Sequence, residues 1–178
     1  MADHDGRLIK KIKKGNQQAF RALYDNYVDY ALRTAYAITR SNSDAADIVQ
    51  ETFIKVYRNI DSFDLKKSFK PWFYRILINE SRRFIKKRSR EGVTTSSDEL
   101  LDYLHQSQFE VKNYDDLGIA LDNLPENTRT LLILKYLNAF TEKEIAEMLE
   151  MNVSTVKSRL YKARNDLRAC LGGAADEK

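Results

Sequence analysis

Hydrophobic side chains recur at helical spacing over three long stretches in the first half of the chain. The first stretch follows Asn16, whose side chain is suited to capping a helix, and runs to about Arg40. The basic segment from Ile9 to Lys14 precedes it. The spacing predicts an amphipathic helix whose inner stripe consists of Ala19, Phe20, Leu23, Tyr24, Tyr27, Ala31 and Ala35.

The second stretch extends from Asp44 to Ile60 and follows a polar break at residues 41–43. A turn at residues 61–68 then leads to a third predicted helix, which begins near Pro71 and runs to roughly Arg88. The apolar positions of the second helix are Ala45, Ile48, Val49, Thr52, Phe53, Val56 and Ile60. Its other face carries Asp44, Asp47, Gln50 and Glu51.

A polar segment separates these helices from the C-terminal part of the chain. Residues 92–114 are rich in Ser, Thr, Gln and Asp and have little periodicity, which is typical of a linker. Helical patterns return at residues 116–123 and, after a break at Pro125, at residues 126–137. The sequence therefore predicts an all-α fold with two small helical domains, at 1–90 and 116–172, joined by a flexible linker at 91–115 and followed by a disordered tail at 173–178.

A helix-turn-helix is predicted near the C-terminus. Thr141 and Glu144 match a capping box at the start of a short helix that ends at Leu149. After a tight turn, Asn152 is suited to capping a longer helix that continues to about Leu171. The apolar positions expected to pack these helices together are Ile145, Ala146, Leu149, Val153, Val156, Leu160, Ala163 and Leu167.

The outward face of the last helix is polar and basic. Short polar side chains near the N-terminal end of such a helix can reach base edges in the major groove, while flanking cations contact phosphates. The same pattern fits the solvated face of a structural helical hairpin, and Glu150 occupies a turn position where the motif often has Gly. The spacing favours DNA binding by Ser154, Thr155, Ser158, Tyr161 and Lys162, with Lys157, Arg159 and Arg164 at the edges.

Charge is distributed unevenly, although the formal net charge is only +4. Between Lys66 and Arg90 the single acid among many cations is Glu80, whereas residues 91–117 are acidic apart from Lys112. Cations interleaved with aromatic rings on the third helix fit a partly unpaired nucleic-acid strand, because cations follow the backbone and rings stack on bases. An ordinary core role is the simpler interpretation for Phe73, Ile76, Leu77 and Phe84, and it leaves Trp72 and the cations as binding candidates.

Composition excludes several classes of protein. A single cysteine, Cys170, fits a reducing compartment, and the two histidines, His4 and His105, have no spacing typical of a zinc site. No stretch approaches the roughly 18 apolar residues that span a membrane. The chain also lacks a nucleophile paired with a base and a Gly-rich phosphate loop. We therefore expect a cytoplasmic, non-enzymatic protein that uses no cofactor, metal or small-molecule substrate.

Several short motifs follow one another along the chain. They are DAADIVQETF at 44–53, Phe63 followed by FKPWFYRI at 69–76, Asn79 with the basic run at 82–88, Leu124-Pro125 ahead of TEKEIA at 141–146, and VSTVKSRL at 153–160. In this order they resemble the extracytoplasmic function (ECF) group of bacterial sigma factors over most of the chain. The last motif alone is also similar to LuxR-like DNA-binding modules.

The resemblance implies roles for three sets of residues. The helix at 44–57 would bind the clamp helices of RNA polymerase, with Asp47, Ile48, Gln50, Glu51 and Phe53 as contacts or their supports. The helix at 72–87 and its start would read and melt the promoter −10 element through Lys70, Trp72, Arg75, Asn79, Arg82, Arg83, Lys86 and Lys87. The helix-turn-helix would read the duplex −35 element through Ser154, Thr155, Lys157, Ser158, Arg159, Lys162 and Arg164.

The resemblance implies an alternative sigma factor that directs core RNA polymerase to a subset of promoters, as in stress responses. Its expected partners are core RNA polymerase, promoter DNA that is double-stranded at −35 and melted at −10, and an anti-sigma factor. One rival interpretation is a stand-alone helix-turn-helix regulator of LuxR-like type, whose N-terminal helices dimerise. A more distant one is a helical adaptor that does not bind DNA.

Overall fold

The computed structural model describes residues 2–91, 121 and 123–173, and every regular element in these ranges is helical. The chain divides into two compact units, Met1–Leu100 and Leu101–Lys178. The predicted linker at 91–115 lies almost entirely outside the described residues, as do most of the helix predicted at 116–123 and the tail at 174–178. The all-α fold predicted from periodicity is confirmed.

Residues 2–91 of the N-terminal unit form four α-helices. Helix α1 spans Ala2–Ile12, α2 spans Gln17–Thr39, α3 spans Asn42–Asn59 and α4 spans Phe69–Glu91. A 3₁₀ turn, Ile60–Ser62, follows α3 directly. Helix α2 packs against α1, α3 and α4, and α3 packs along α4, so the predicted amphipathic faces enclose one core.

Local capping signals fix the starts of α2 and α3. The Asn16 side chain accepts a hydrogen bond of 2.9 Å from the Ala19 backbone N–H, which confirms the predicted cap. Ser41 caps α3 in the same way, through an N–H···O bond of 3.2 Å from Asp44. Between the two helices Arg40 adopts the left-handed conformation (φ 59°), and its N–H donates to the Tyr36 carbonyl.

Helix α1 corrects the interpretation of residues 9–14 as a short basic segment. The segment belongs to a helix that is anchored by two fully or almost fully buried side chains, Ile9 and Ile12. The hydrophobic pattern of this segment is weak, because lysines are frequent and only one face of the helix is apolar. The acidic residues at the start of the chain also gave no strong capping signal. The turn to α2 depends on Gly15, whose φ of +83° is strained for any residue with a Cβ atom.

Two further positions of the N-terminal unit differ from the predicted pattern. Tyr24 lies on the predicted inner stripe of α2 but is 39% exposed, and its ring covers the edge of Phe53 with centroids 4.6 Å apart. Asp44 was assigned to the outer face of α3 but is buried, because its carboxylate pairs with Arg88 of α4. In both cases a neighbouring helix, and not the helical period, decides exposure.

The N-terminal unit contains a buried phenol, Tyr74, and a half-buried one, Tyr27. Burial raises the pKa of Tyr74 from its ordinary value of 10.0 to about 12, against a smaller opposing effect of a hydrogen bond with Thr34. Burial also raises the pKa of Tyr27, and a hydrogen bond to the charged Asp5 adds to the effect. The Tyr27 hydroxyl donates to the Asp5 carboxylate over 2.6 Å.

These tyrosines predict a loss of stability at alkaline pH. A group whose pKa is raised by folding stabilises the folded state fully below its unfolded pKa, and this contribution is lost as the pH rises through the folded pKa. We therefore expect the N-terminal unit to lose stability between pH 10 and about 12. Chemical denaturation across this range should show a weaker pH dependence for Tyr74→Phe than for the parent chain. Equal pH dependence in the two proteins would contradict the prediction.

The C-terminal unit, as far as it is described, consists of three helices. Helix α5 spans Glu126–Leu132 and continues as a π-helical turn, Ile133–Leu137, followed by α6 at Glu142–Leu149 and α7 at Val153–Gly173. The capping box predicted for α6 is present in both directions, from Thr141 and from Glu144. The core of this unit contains Leu124, Leu131, Leu132, Ile133, Leu134, Phe140, Ile145, Ala146, Met148, Leu149, Val156, Leu160 and Ala163.

Two positions depart from the predicted inner stripe of α7. Val156, Leu160 and Ala163 are buried as expected, whereas Leu167 is half-buried and Val153 is 38% exposed. Val153 is the first residue of α7 and lines a surface groove at the turn together with Ala146 of α6. The position therefore belongs to the surface of the helix-turn-helix.

Ala139 provides a test of backbone strain in the C-terminal unit. It is exposed and adopts a left-handed conformation, with a φ of 56°. This conformation costs an L-residue about 1–2 kcal/mol, whereas Gly loses about 0.5–1 kcal/mol more backbone entropy on folding. Ala139→Gly should therefore stabilise this unit by about 0.5–1 kcal/mol, which calorimetry or denaturant titration would measure.

The same exchange in a regular helix should have the opposite sign. Ala46 is exposed within α3, and Ala46→Gly should destabilise the N-terminal unit by about 1 kcal/mol. If both exchanges destabilise the protein, the left-handed backbone at Ala139 does not limit its stability.

Candidate nucleic-acid interface

The turn between α6 and α7 is built on a left-handed residue. Glu150 has φ 55° and ψ 47°, and its N–H donates to the Ala146 carbonyl. The Met151 N–H donates to the same carbonyl over 2.9 Å. The conformation explains why this position often holds Gly, yet the turn is formed here with Glu. The first backbone bond of α7 runs from Val156 to the Asn152 carbonyl, over 3.0 Å.

The outward face of α7 is exposed as predicted. Thr155 is half-buried, and the other candidate −35 residues are exposed: Ser154, Lys157, Ser158, Arg159, Lys162 and Arg164. The Ser158 hydroxyl donates to the Thr155 carbonyl of the same helix, over 3.0 Å, and its oxygen keeps the capacity to accept a hydrogen bond. The Arg159 guanidinium lies 4.0 Å from the Met151 sulfur, beside the turn. The helix thus combines hydroxyl groups with cations on one surface.

Glu142 and Lys135 stabilise the base of this motif. Their side chains form an ion pair of 2.8 Å that joins the π-helical turn to α6. The hydrogen bond from Lys135 lowers the pKa of Glu142, and the charges of Lys135 and Lys157 act in the same direction. The charge of Lys157 therefore acts on Glu142 of α6, although its side chain lies on the outer surface of α7.

Helix α4 carries a second basic surface. The exposed members of the predicted −10 set are Lys70, Arg75, Asn79, Arg83, Lys86 and Lys87, while Trp72 and Arg82 are half-buried. The opposite side of α4 is core: Phe73 and Leu77 are fully buried, and so are Tyr74 and Ile78, which sequence reasoning had not singled out. Ile76 and Phe84, which were predicted to be core, are only half-buried.

Aromatic rings surround the start of α4. Trp72 packs against Phe63, with centroids 5.0 Å apart, and against Phe69 at 5.6 Å. Phe69 in turn contacts Tyr27 at 5.2 Å. Trp72 therefore rests on a buried aromatic cluster and remains partly accessible, beside the exposed Lys70.

The candidate polymerase residues of α3 divide into two groups. Asp47, Gln50 and Glu51 are exposed, whereas Ile48 and Phe53 are 1% and 4% exposed and belong to the core. Ile48 and Phe53 can thus support the surface but cannot contact a partner directly. The exposed group forms an acidic and polar face on α3.

Ion pairs with buried carboxylates connect α3 to α4. Asp44 of α3 pairs with Arg88 of α4, and Glu80 of α4 pairs with Lys55 of α3; within α4, Glu80 also pairs with Arg83 over 3.0 Å. Glu80, the lone acid of the basic stretch, is only 6% exposed and is neutralised by these cations. The pairs hold the acidic face of α3 at a fixed position beside the basic face of α4.

Two grooves open on the N-terminal unit. One, of about 870 Å³, lies between α3 and α4, with acidic and polar side chains on the α3 wall and cations on the α4 wall. The other, of about 810 Å³, lies between α2 and α3 and was not predicted. Its lining is largely apolar and includes Phe20, Tyr24, Val28, Leu32, Phe53, Ile54 and Tyr57. The signal for this groove was the apolar row at i, i+4 spacing along α2, which consists of Phe20, Tyr24, Val28 and Leu32.

No group of three His, Cys, Asp or Glu side chains that could hold a metal ion occurs within residues 2–91 and 123–173. In the same ranges no helix has the length and hydropathy needed to cross a membrane.

Two separate parts of the chain match known protein families. Residues 23–91 match the family model of Sigma-70 region 2, and residues 115–167 match that of Sigma-70, region 4. The chain is 34% identical to the ECF RNA polymerase sigma factor SigW of Bacillus subtilis, over 90% of this chain and 92% of that protein. It is 31% identical to the ECF RNA polymerase sigma-E factor of Haemophilus influenzae, over 90% and 91% of the respective chains.

Solved structures show the same fold. The sigma factor RpoE of Bartonella quintana, in complex with the anti-sigma factor NepR, has a TM-score of 0.75 at 28% identity and covers 86% of this chain and 96% of its own. CnrH, in complex with the cytosolic domain of CnrY, has a TM-score of 0.74 at 24% identity and covers 96% and 98%.

Proposed function

This chain belongs to the extracytoplasmic function group of the sigma-70 family and is an alternative sigma factor of transcription initiation, and from this premise we propose a role for each of its surfaces. The region 2 match covers α3, α4 and most of α2, and the region 4 match covers α5, α6 and most of α7. The proposed surfaces all lie on these elements.

The exposed face of α7 reads the duplex −35 element. Ser154, Thr155 and Ser158 contact base edges, because short hydroxyl side chains near the start of a helix reach into the major groove. The cations Lys157, Arg159, Lys162 and Arg164 contact phosphates and set the register on the duplex. The observation that supports this role is the exposure of these polar side chains on a helix whose other face is core.

Helix α4 binds the melted −10 element. Its cations follow the phosphates of the unpaired strand, and the partly accessible Trp72 contacts an unstacked base. Asn79, on the exposed side of α4, supplies both a donor and an acceptor for a base edge. Arg82 is half-buried, and its buried Nε atom has no hydrogen-bond partner among the described residues.

The acidic face of α3 binds core RNA polymerase. Asp47, Gln50 and Glu51 form the contact surface, with Ile48 and Phe53 as its buried support. The position of this face beside the basic face of α4 is the single observation that carries the proposal. Two adjacent helices of opposite charge suit two different partners, a protein and a nucleic acid.

An anti-sigma factor binds the chain and holds it inactive until the anti-sigma factor dissociates. The apolar groove between α2 and α3 supports this proposal, because contiguous apolar surface of this kind is typical of protein interfaces. RpoE of Bartonella quintana was solved in complex with such a factor. The chain itself makes and breaks no bond, and it acts in the cytoplasm, where core polymerase and the promoter are located.

Transcription with purified components tests the proposal. The chain and core RNA polymerase should together initiate from linear promoters selected from a run-off library, without another sigma factor. A stand-alone regulator would need a second sigma factor, and a helical adaptor would leave initiation unchanged. Absence of transcripts, together with failure to bind core polymerase, would reject the proposal.

A further inference from the structure

We propose that Lys13 is a positioning residue for the −10 surface. It fixes the turn that precedes α4 and so sets the position of Trp72, although it touches no DNA itself. The inference rests on the proposed role of α4. Lys13 lies ahead of residue 23, where the match to the region 2 family model begins.

Lys13 connects two parts of the chain that are distant in sequence. Its Nζ atom donates to the carbonyl of Asp61 and to that of Phe63, each over 2.8 Å. These carbonyls lie at the C-terminal end of the 3₁₀ turn Ile60–Ser62. Carbonyls at a helical end point away from the helix and carry partial negative charge, so a cation is the matching partner.

The Lys13 side chain is held in place by the helix that precedes it. Ile9 and Ile12 bury one face of α1, and the bond from Tyr27 to Asp5 secures its first turns. Two residues after Lys13, the left-handed Gly15 turns the chain into α2. Lys13 therefore extends from a fixed backbone, so only its own side chain has to be ordered when the two hydrogen bonds form.

The turn that Lys13 binds supports Trp72. The Phe63 ring lies 5.0 Å from Trp72 and 5.8 Å from Phe69, and Phe69 lies 5.6 Å from Trp72. Displacement of Phe63 would therefore remove one side of the surface on which the indole packs. Since α1 also packs against α4, the contact unites α1, the turn and the start of α4.

Trp72 is the chain's single tryptophan, so its fluorescence reports this region directly. In the DNA-free full chain, Lys13→Met should shift the Trp72 emission to longer wavelength, because the indole gains contact with water. Lys13→Arg keeps a cationic donor and should restore the parent spectrum. Lys14→Met removes the same charge at the exposed neighbouring position and should leave the spectrum unchanged.

Binding of the reconstituted holoenzyme to fork-junction DNA tests the consequence for function. The DNA carries a −10 sequence that the parent holoenzyme has selected from a library. Lys13→Met should weaken this binding about tenfold or more, because it removes two charge-assisted hydrogen bonds, each of which contributes at least about a factor of ten. Lys13→Arg and Lys14→Met should remain within about twofold of the parent. Association with core polymerase should be the same in all four proteins.

Several outcomes would overturn the proposal. They are a Trp72 spectrum that Lys13→Met leaves unchanged, a shifted spectrum with unchanged DNA binding, and an effect that Lys14→Met reproduces. A parent holoenzyme that does not bind the fork junction would reject the role of α4 itself, and the DNA-free spectra would still decide the Lys13 contact. If Lys13→Met does not fold, Lys13→Gln, which keeps a neutral donor, takes its place in both measurements.

Discussion

Glu51→Lys should weaken association of the chain with core RNA polymerase by about ten- to a hundredfold. Glu51 is exposed on the acidic face of α3, so the exchange replaces an attractive contact by a repulsive one without disturbing the core. Reversing one charge of a close interfacial pair costs a few kcal/mol, and about 1.4 kcal/mol corresponds to a factor of ten. Surface-immobilised core enzyme with the chain as analyte would measure the effect.

Asp25→Lys is the matched control for this test. Asp25 is exposed on α2, outside the acidic face of α3, and its exchange produces the same change in net charge. It should leave polymerase binding almost unchanged. An Ile48 substitution is a poor probe, because Ile48 is 1% exposed and its removal would unfold the unit. Equal affinities of Glu51→Lys and the parent for core polymerase would show that α3 is not the docking surface.

Arg159→Ala should weaken binding to duplex −35 DNA and also make that binding less sensitive to salt. Each phosphate contact that is lost should reduce the slope of log affinity against log salt concentration by about 0.9. Lys157→Ala should have a similar effect, since both side chains are exposed at the edges of the outward face. Titrations of the full chain with labelled duplex at several salt concentrations would provide the slopes.

Arg168→Ala provides the control on the same helix. Arg168 is exposed, but it lies nine residues after Arg159, or about 13 Å further along the axis of α7. Loss of its charge should alter the overall field slightly and leave the slope unchanged. If Arg159→Ala and Lys157→Ala both retain the parent slope, neither residue contacts a phosphate.

The two charged helical surfaces of the N-terminal unit are coupled through buried carboxylates. Glu80 and Asp44 each pair with a cation on the facing helix, so α3 and α4 cannot shift independently without separating buried charges. This arrangement gives the proposed polymerase face and the proposed −10 face a fixed mutual orientation. It also explains why a carboxylate occurs within an otherwise basic stretch.

Local signals were sufficient for most of the helices. The Asn16 cap and the capping box of Thr141 and Glu144 depend on atoms only three residues apart, and each was found where the sequence predicted it. The outward face of α7 followed from helical spacing alone, since the apolar face of an amphipathic helix must cover the core. The motif order identified the sigma-factor group, which the comparisons confirmed.

Tertiary contacts decided the remainder. Asp44 is buried because it pairs with Arg88 on the facing helix. The hydrogen bonds of Lys13 are made to carbonyls about fifty residues away in the sequence. Val153 is 38% exposed beside the turn, and Tyr24 is 39% exposed although its ring packs on Phe53 of α3. Helical period specifies which side of a helix is apolar. The exposure of a side chain and its ion-pair or hydrogen-bond partner depend on which residues of the neighbouring helix lie opposite it. Those residues come close only when the chain has folded.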